Sequence, residues 1–197
     1  MSRVTDVLGK IFTGSFLDLA QKLSGEDGDM WYVALKRFLR KENPWPKVWK
    51  TIQLGTHSSI ADMRRALDAG FRIGEWASRI LEKVALATKQ ESVDLVIPSV
   101  AELGFSECAT IEQIYEAALK RGYQLCPAEV GPQFRLQYAD QPMGERLIIA
   151  MEPITDSGGY RRVFYVGRGG YGLWLYSDCG DPDSCYGPEC RFVFRRQ

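Results

Sequence analysis

The spacing of apolar residues changes along the chain, and this change constrains the fold more than any other feature. In the first part of the chain, apolar residues recur every three or four positions, as in residues 31–39, which is typical of an amphipathic helix. From residue 145 onward apolar and polar residues alternate, and we expect strands over 145–154, 161–167, 172–177 and 191–196. Helices followed by paired strands predict an α+β fold, in which an N-terminal helical segment precedes a mixed core with a C-terminal antiparallel β meander.

A proline-rich break separates two expected domains. Proline lacks a backbone donor and disfavours helix in the residue before it, so Asn43–Pro46 must end the preceding helix. We therefore predict an N-terminal helical segment over residues 1–43 and an α+β core domain over residues 44–197.

Local signals predict individual elements of the core domain. Ser59 is expected to cap a helix, and Thr110 with Gln113 has the spacing of a capping box. Two short strands, Tyr123–Cys126 and Phe134–Tyr138, are expected on either side of a segment rich in turn-forming residues.

The composition is typical of a folded, soluble protein. Hydrophobic residues make up 45% and charged residues 25% of the 197 positions, and no apolar run is long enough to cross a bilayer. The formal net charge is zero, which argues against a nucleic-acid coating protein, although residues 1–90 carry 15 Lys or Arg against 10 Asp or Glu. The N-terminus lacks the apolar core of a secretory signal. We therefore expect a cytoplasmic protein without a membrane partner.

Three short motifs suit a structural role better than a catalytic one. Gly167–Gly172 has the glycine pattern of dinucleotide-binding loops, but an expected strand follows it where that site needs a helix. Asp156–Gly159 resembles the nucleophile segment of trypsin-like proteases, yet too little chain follows for that barrel, and the four residues favour a turn. His57 is the only histidine, and no nucleophile stands at a recognisable spacing from it. We therefore predict no catalytic residue and no cofactor.

Cys179, Cys185 and Cys190 lie in one expected loop together with several carboxylates. Thiolates and carboxylates bind zinc, so these cysteines are candidate ligands of a structural metal. They lack the paired C-x-x-C spacing, and partly buried small side chains are the alternative interpretation. The total of five cysteines is odd, which argues against a disulfide framework.

A stretch of cations and aromatic rings accompanies the second expected helix and the proline-rich break. Cations interleaved with rings can bind single-stranded nucleic acid through phosphate contacts and stacking. Alternatively, the cations form a solvated surface while Trp31 and Phe38 belong to the helix core. The residues of this candidate binding surface are Lys36, Arg37, Arg40, Lys41, Trp45, Lys47, Trp49 and Lys50.

Polar residues among strongly apolar neighbours mark a second candidate site. Glu129, Gln133 and Arg135 would line a cleft if their side chains converge, and such a cleft would indicate an enzyme of unknown class. If they point outward on alternate positions, they are ordinary surface residues.

Four segments of the core domain resemble a family of uncharacterised bacterial proteins. They are residues 48–56, 71–77, 93–96 and 126–132, and the resemblance extends over roughly residues 45–195. It implies a bacterial, cytoplasmic origin and carries no activity, cofactor or catalytic residue.

The sequence as a whole favours a non-enzymatic binding or interaction protein. Its expected partner is another protein or a second copy of itself, contacted through the N-terminal helical segment, because an amphipathic helix pair can dock on a partner. A nucleic-acid-binding accessory protein and an enzyme with a cleft near Glu129–Arg135 are the alternatives.

Overall fold

The computed structural model describes residues 14, 16–40 and 47–196, and the chain divides into two compact units after residue 46. The first is called here the helical unit and the second the core unit. In the helical unit, α1 (Phe16–Leu23) packs against α2 (Gly28–Leu39). A Cβ at Gly28 would lie 2.3 Å from the carbonyl oxygen of Leu23, so only glycine fits where α2 begins. The predicted break at Asn43–Pro46 lies outside the described residues.

The apolar stripe predicted for α2 is only partly covered. Ala34 is the one buried residue among the described positions of α1 and α2, and Trp31 and Leu35 are half-buried. Phe38, expected in the helix core, is instead 66% exposed. A pair of helices this short offers too little partner surface to cover both ends of the stripe.

Two of the four helices of the core unit begin at the expected capping residues. The Ser59 hydroxyl accepts a hydrogen bond from the Asp62 backbone N–H at 3.2 Å, and Thr110 and Gln113 form the predicted reciprocal capping box. The helices are α3 (Ile60–Asp68), α4 (Glu75–Leu81), α5 (Ile111–Leu119) and α6 (Val130–Gln137).

Most strands of the core unit belong to one mixed sheet in the order β1-β3-β11-β6-β8-β9-β2, with β5 paired to β11 and β7 to β8. Strands β4 and β10 form a separate two-stranded sheet. The strands are β1 (Lys50–Leu54), β2 (Arg72–Ile73), β3 (Glu91–Val96), β4 (Ala109–Thr110), β5 (Tyr123–Gln124), β6 (Arg146–Ile149), β7 (Ile154–Thr155), β8 (Arg161–Gly169), β9 (Gly172–Cys179), β10 (Cys185–Tyr186) and β11 (Phe192–Arg196).

The α+β class is confirmed, and β6, β8 and β9 form the expected antiparallel meander. The glycine run of residues 167–172 lies in the hairpin between β8 and β9, where Gly169 pairs with Gly172 and Gly172 has a φ of +100°. The last strand differs from the expectation. Instead of extending the meander, β11 lies between β3 and β6, parallel to β6 and antiparallel to β3.

The strand predicted over Phe134–Tyr138 is wrong, because Val130–Gln137 forms helix α6. Residues 130–135 of α6 are all buried, and a helix buried on several sides lacks the periodic pattern that identifies a surface helix. A Cβ at Gly131 would lie 2.5 Å from the Phe164 ring, which indicates how closely α6 approaches β8. Pro132 falls in the first turn, where no intrahelical donor is needed.

The two faces of the large sheet are packed by different helices. On one face α6 contacts β8 at Phe164. On the opposite face Tyr115 of α5 packs edge-on against Phe192 and Phe194, with ring centroids 6.4 and 6.0 Å away. Tyr165 pairs with Ile148, and Ile148 pairs with Phe192, so these three side chains share one face of the sheet. Phe164 comes directly before Tyr165 on β8, and its side chain therefore lies on the opposite face.

Candidate functional site

Glu129, the first residue of the expected cleft, is buried and braces two loops. Only 1% of the residue is exposed. Oε1 accepts a hydrogen bond from the Gly55 N–H at 2.8 Å, and Oε2 accepts one from the Ala87 N–H at 2.6 Å. Gly55 has a φ of +67°, and a Cβ there would lie 2.4 Å from the Lys89 carbonyl oxygen. A side chain at this position would therefore strain the backbone and clash with the neighbouring loop. These contacts assign the carboxylate to holding the loops together.

Gln133 connects Glu129 to the only histidine. Its Nε2 group lies 3.1 Å from Glu129 Oε1, 2.8 Å from the Thr56 hydroxyl and 3.3 Å from His57 Nδ1. Thr56 is an exposed residue, and its hydroxyl lies 2.9 Å from the same Nδ1. Within residues 47–196 no carboxylate contacts the imidazole, so the acid that orients the base of a catalytic triad is not among these contacts.

Arg135 is fully buried and holds its charge without an ion pair in the described part of the chain. Nη1 donates to Gln141 Oε1 at 2.5 Å, Nη2 donates to the Tyr138 carbonyl, and the guanidinium lies 5.2 Å from the centre of the Phe71 ring. Burial lowers the pKa of Arg135 to about 10. Glu129, Gln133 and Arg135 are all buried; Glu129 and Gln133 are hydrogen-bonded to each other, whereas Arg135 is bonded separately to Gln141 and Tyr138.

The three candidate metal ligands, Cys179, Cys185 and Cys190, are in different states. Cys185 forms a disulfide with Cys108, with Cα atoms 5.8 Å apart, and is therefore unable to act as a thiolate ligand, while Cys126, Cys179 and Cys190 are free. Cys179 Sγ lies 3.2 Å from Asp181 Oδ2, and Cys190 is half-buried. Across the described residues no three His, Cys, Asp or Glu side chains are placed to hold a metal ion.

The predicted basic and aromatic stretch is divided between the two units. Lys36, Arg37 and Arg40 lie on α2 or at its end in the helical unit. In the core unit, Trp49 packs edge-on against Phe134 and Tyr138, with centroids 5.7 and 5.0 Å away. Lys50 lies over Tyr138 and forms an ion pair with Asp140 at 3.8 Å, whereas Lys47 is exposed. Lys41 and Trp45 lie outside the described residues.

A groove of about 530 Å³ lies beside α5. Its charged lining consists of Glu112, Glu116, Glu152 and Arg161. Glu116 is already paired with Lys120 at 2.5 Å. The remaining charges, Glu112 and Glu152 against Arg161, leave the groove acidic, which suits a cationic or polar ligand.

The face of the sheet that carries Phe192 and Phe194 continues onto β8 and β9 as a row of aromatic and arginine side chains. One cross-strand row runs over β2, β9, β8 and β6 and consists, in that order, of Arg72, Trp174, Gly167 and Arg146. Side chains of directly paired residues share a face, so the two arginines lie on either side of Trp174. In the neighbouring row, Tyr176 pairs with Tyr165.

Glycines allow two of these rings to lie flat on the sheet. A Cβ at Gly167 would lie 2.4 Å from Trp174 Nε1 and one at Gly169 would lie 2.6 Å from Trp174 Cη2, so the indole covers β8 along both residues. A Cβ at Gly74 would lie 2.7 Å from Tyr176 Cδ1. The Trp174 and Tyr176 rings are inclined by only 25° to each other. We call these two rings the aromatic platform.

The helical unit exposes large apolar side chains beside separated charges. The exposed fractions are 50% for Phe16, 61% for Leu17, 52% for Tyr32, 66% for Phe38 and 71% for Leu39. Acidic residues gather where α2 begins, at Glu26, Asp27 and Asp29, and basic residues where it ends, at Lys36, Arg37 and Arg40.

No protein-family model, curated protein or solved structure matches the chain. Among the helices formed by the described residues, none has the length and apolar character needed to cross a membrane.

Proposed function

We propose that this protein is a non-enzymatic interaction protein of the bacterial cytoplasm that associates with a second copy of itself through the helical unit. The observation that carries the proposal is the exposed apolar surface of α1 and α2. Leu17 and Leu39 are 61% and 71% exposed, and burying a leucine side chain contributes about 1.5–3 kcal/mol. An apolar surface of this kind, bordered by charges, is typical of a protein-binding site.

The charge distribution favours a second copy over an unrelated partner. A symmetric dimer uses the same surface on both chains, so a residue at one end of α2 meets the opposite end of α2 in the other copy when the helices run antiparallel. The acidic start of one α2, including Asp29, then faces the basic end of the other, including Arg37. Such complementarity steers association and fixes the register of the two helices.

The size of the association can be measured directly with the full chain. Multi-angle light scattering after gel filtration is expected to give twice the mass of one chain, and Leu17→Asp combined with Leu39→Asp is expected to give a single-chain mass. Leu119→Asp is the matched control, because Leu119 is a half-exposed leucine on α5 of the core unit. A single-chain mass for the unaltered protein, or dissociation by Leu119→Asp alone, contradicts the proposal.

Charge reversal tests the antiparallel arrangement separately. Lys36→Glu with Arg37→Glu places like charges together and is expected to dissociate the dimer. Adding Glu26→Lys and Asp29→Lys to the same chain restores opposite charges across the interface and is expected to restore the dimer. If the fourfold variant stays dissociated while its helices remain folded by circular dichroism, the second copy does not bind in this orientation.

The bacterial cytoplasmic location is an expectation from the sequence alone, and no match to a family model or a curated protein supports it. The Cys108–Cys185 disulfide opposes it, because such bonds are rare in a reducing compartment. Fractionation of cells producing the full chain decides between the two, and recovery outside the cytoplasm would contradict this part of the proposal.

A further inference from the structure

We propose that the aromatic platform binds single-stranded nucleic acid, with bases stacked on Trp174 and Tyr176 and phosphates in contact with Arg72 and Arg146. This site lies on the large sheet of the core unit. It shares no residue with the surface of the helical unit proposed for self-association, so the two proposals stand or fall independently.

The orientation of the two rings is the first argument. The indole of Trp174 lies along Gly167 and Gly169, and the ring of Tyr176 lies against Gly74. Both rings are half-buried, whereas Phe192 and Phe194 on the same face are completely buried. Two partly exposed rings lying flat on a sheet offer their π faces, which is the surface on which unpaired bases stack.

The wall of the platform is the second argument. Tyr165 stands at 83° to Tyr176, with ring centroids 5.9 Å apart, and Arg146 lies 4.3 Å from the centre of the Tyr165 ring. The platform is therefore bounded on this side by an upright ring with a guanidinium against it. A base lying on Tyr176 meets the Tyr165 ring, and the adjoining phosphate meets a cation.

Charge decides the chemical class of the ligand. Arg72 and Arg146 are separated by two intervening strands in one cross-strand row, which places their Cα atoms about 14 Å apart at the usual strand spacing. Arg72 lies 5.1 Å from the centre of the Tyr171 ring and forms no ion pair with any described residue. Arg146 shares its charge with Asp178. A neutral sugar also stacks on tryptophan, but cations on both sides of Trp174 favour a polyanion.

The experiment measures fluorescence anisotropy of a short labelled oligothymidylate titrated with the full chain. Trp174→Ala and Tyr176→Ala are each expected to weaken binding about tenfold or more, because one lost stacking contact is worth about that factor. Trp174→Phe keeps a stacking ring and is expected to recover most of the affinity. Trp76→Ala is the matched control, because Trp76 is 37% exposed and lies against Arg79 and Arg162, away from the platform.

Salt dependence tests the phosphate contacts. Each phosphate contact with a single strand contributes about 0.7 to the slope of the logarithm of affinity against the logarithm of salt concentration, so Arg72→Gln is expected to reduce the slope by about that amount. A slope that does not change in Arg72→Gln contradicts the assigned phosphate contact.

Three results would overturn the proposal. The first is that the unaltered chain binds no oligothymidylate at low salt, and the second is that Trp76→Ala weakens binding as much as Trp174→Ala does. A neutral oligosaccharide that binds more tightly than the oligonucleotide and loses affinity in Trp174→Ala would instead assign the platform to carbohydrate. Thermal unfolding of Trp174→Phe and Trp174→Ala separates lost contacts from lost folding, and light scattering shows whether either variant alters self-association.

Discussion

Replacing Glu129 by glutamine keeps the shape of the side chain and removes one of its two acceptor oxygens. In the protein Oε1 and Oε2 accept separately from the backbone N–H groups of Gly55 and Ala87, and Gln133 donates to Oε1 as well. The amide of glutamine can serve only one of the two loops as an acceptor. Its NH₂ group then faces the backbone N–H of the other loop, and two donors meet without an acceptor.

The magnitude follows from the single lost contact. A hydrogen bond to a charged group contributes about 1.5–3 kcal/mol, and here it is replaced by an unfavourable donor pair, so Glu129→Gln is expected to lower the free energy of unfolding by about 2–3 kcal/mol. With a urea m-value of about 1–3 kcal/mol/M, the unfolding midpoint should fall by roughly 0.7–3 M. Urea unfolding followed by circular dichroism measures this shift.

Hydrogen exchange identifies where the stability is lost. The amides of Gly55 and Ala87 are both expected to exchange faster in Glu129→Gln, since the loops are held through this one carboxylate. Glu112→Gln, an exposed change of the same kind on α5, is the control and should leave the midpoint within about 0.5 kcal/mol of the unaltered protein. An unchanged midpoint and unchanged exchange at both amides in Glu129→Gln would refute the assignment of this residue as a brace.

Two further changes test the packing of α6 and the turn after β7. Gly131→Ala places a methyl group 2.5 Å from the Phe164 ring and is expected to lower the free energy of unfolding by about 1–3 kcal/mol in thermal or urea unfolding; an equally stable variant would show that the helix can shift freely. Burial raises the pKa of Asp156, but its hydrogen bonds from Tyr160, Arg162 and Gly158 outweigh this and hold the pKa below its ordinary value of 3.8. The charged carboxylate therefore stabilises the fold above that pH. The unaltered protein should be more stable than Asp156→Asn at neutral pH, and this difference in the free energy of unfolding should shrink as the pH falls through the lowered pKa. A difference that grows on acidification would contradict the prediction.

Local signals in the sequence were sufficient for elements whose stability is local. The capping box at Thr110 and Gln113 forms as expected, because both hydrogen bonds join residues three positions apart. The turn at Asp156–Gly159 also forms, since the Asp156 carboxylate accepts from the Gly158 N–H at 2.7 Å. Neither feature depends on distant parts of the chain.

Features that depend on tertiary contacts could not be predicted in this way. Helix α6 is buried by strands and loops distant in sequence, so its apolar residues carry no helical period, and the sequence predicts a strand over Phe134–Tyr138 instead. Likewise the alternation of Trp174 and Tyr176 predicts that they share a face, but only the pairing of β9 with β8 shows that Gly167 lies beneath the indole.

The position of β11 determines the order in which the sheet can be completed. Among the described residues, β11 is the only strand that joins the two parts of the sheet, which are β1 and β3 on one side and β6, β8, β9 and β2 on the other. During synthesis the facing edges of β3 and β6 are therefore made well before Phe192–Arg196 leaves the ribosome, and until then both edges have unpaired backbone groups. The sheet is thus completed late, by contacts between residues that are far apart in the sequence. Until then, a partly synthesised chain has two open strand edges at which neighbouring chains can pair.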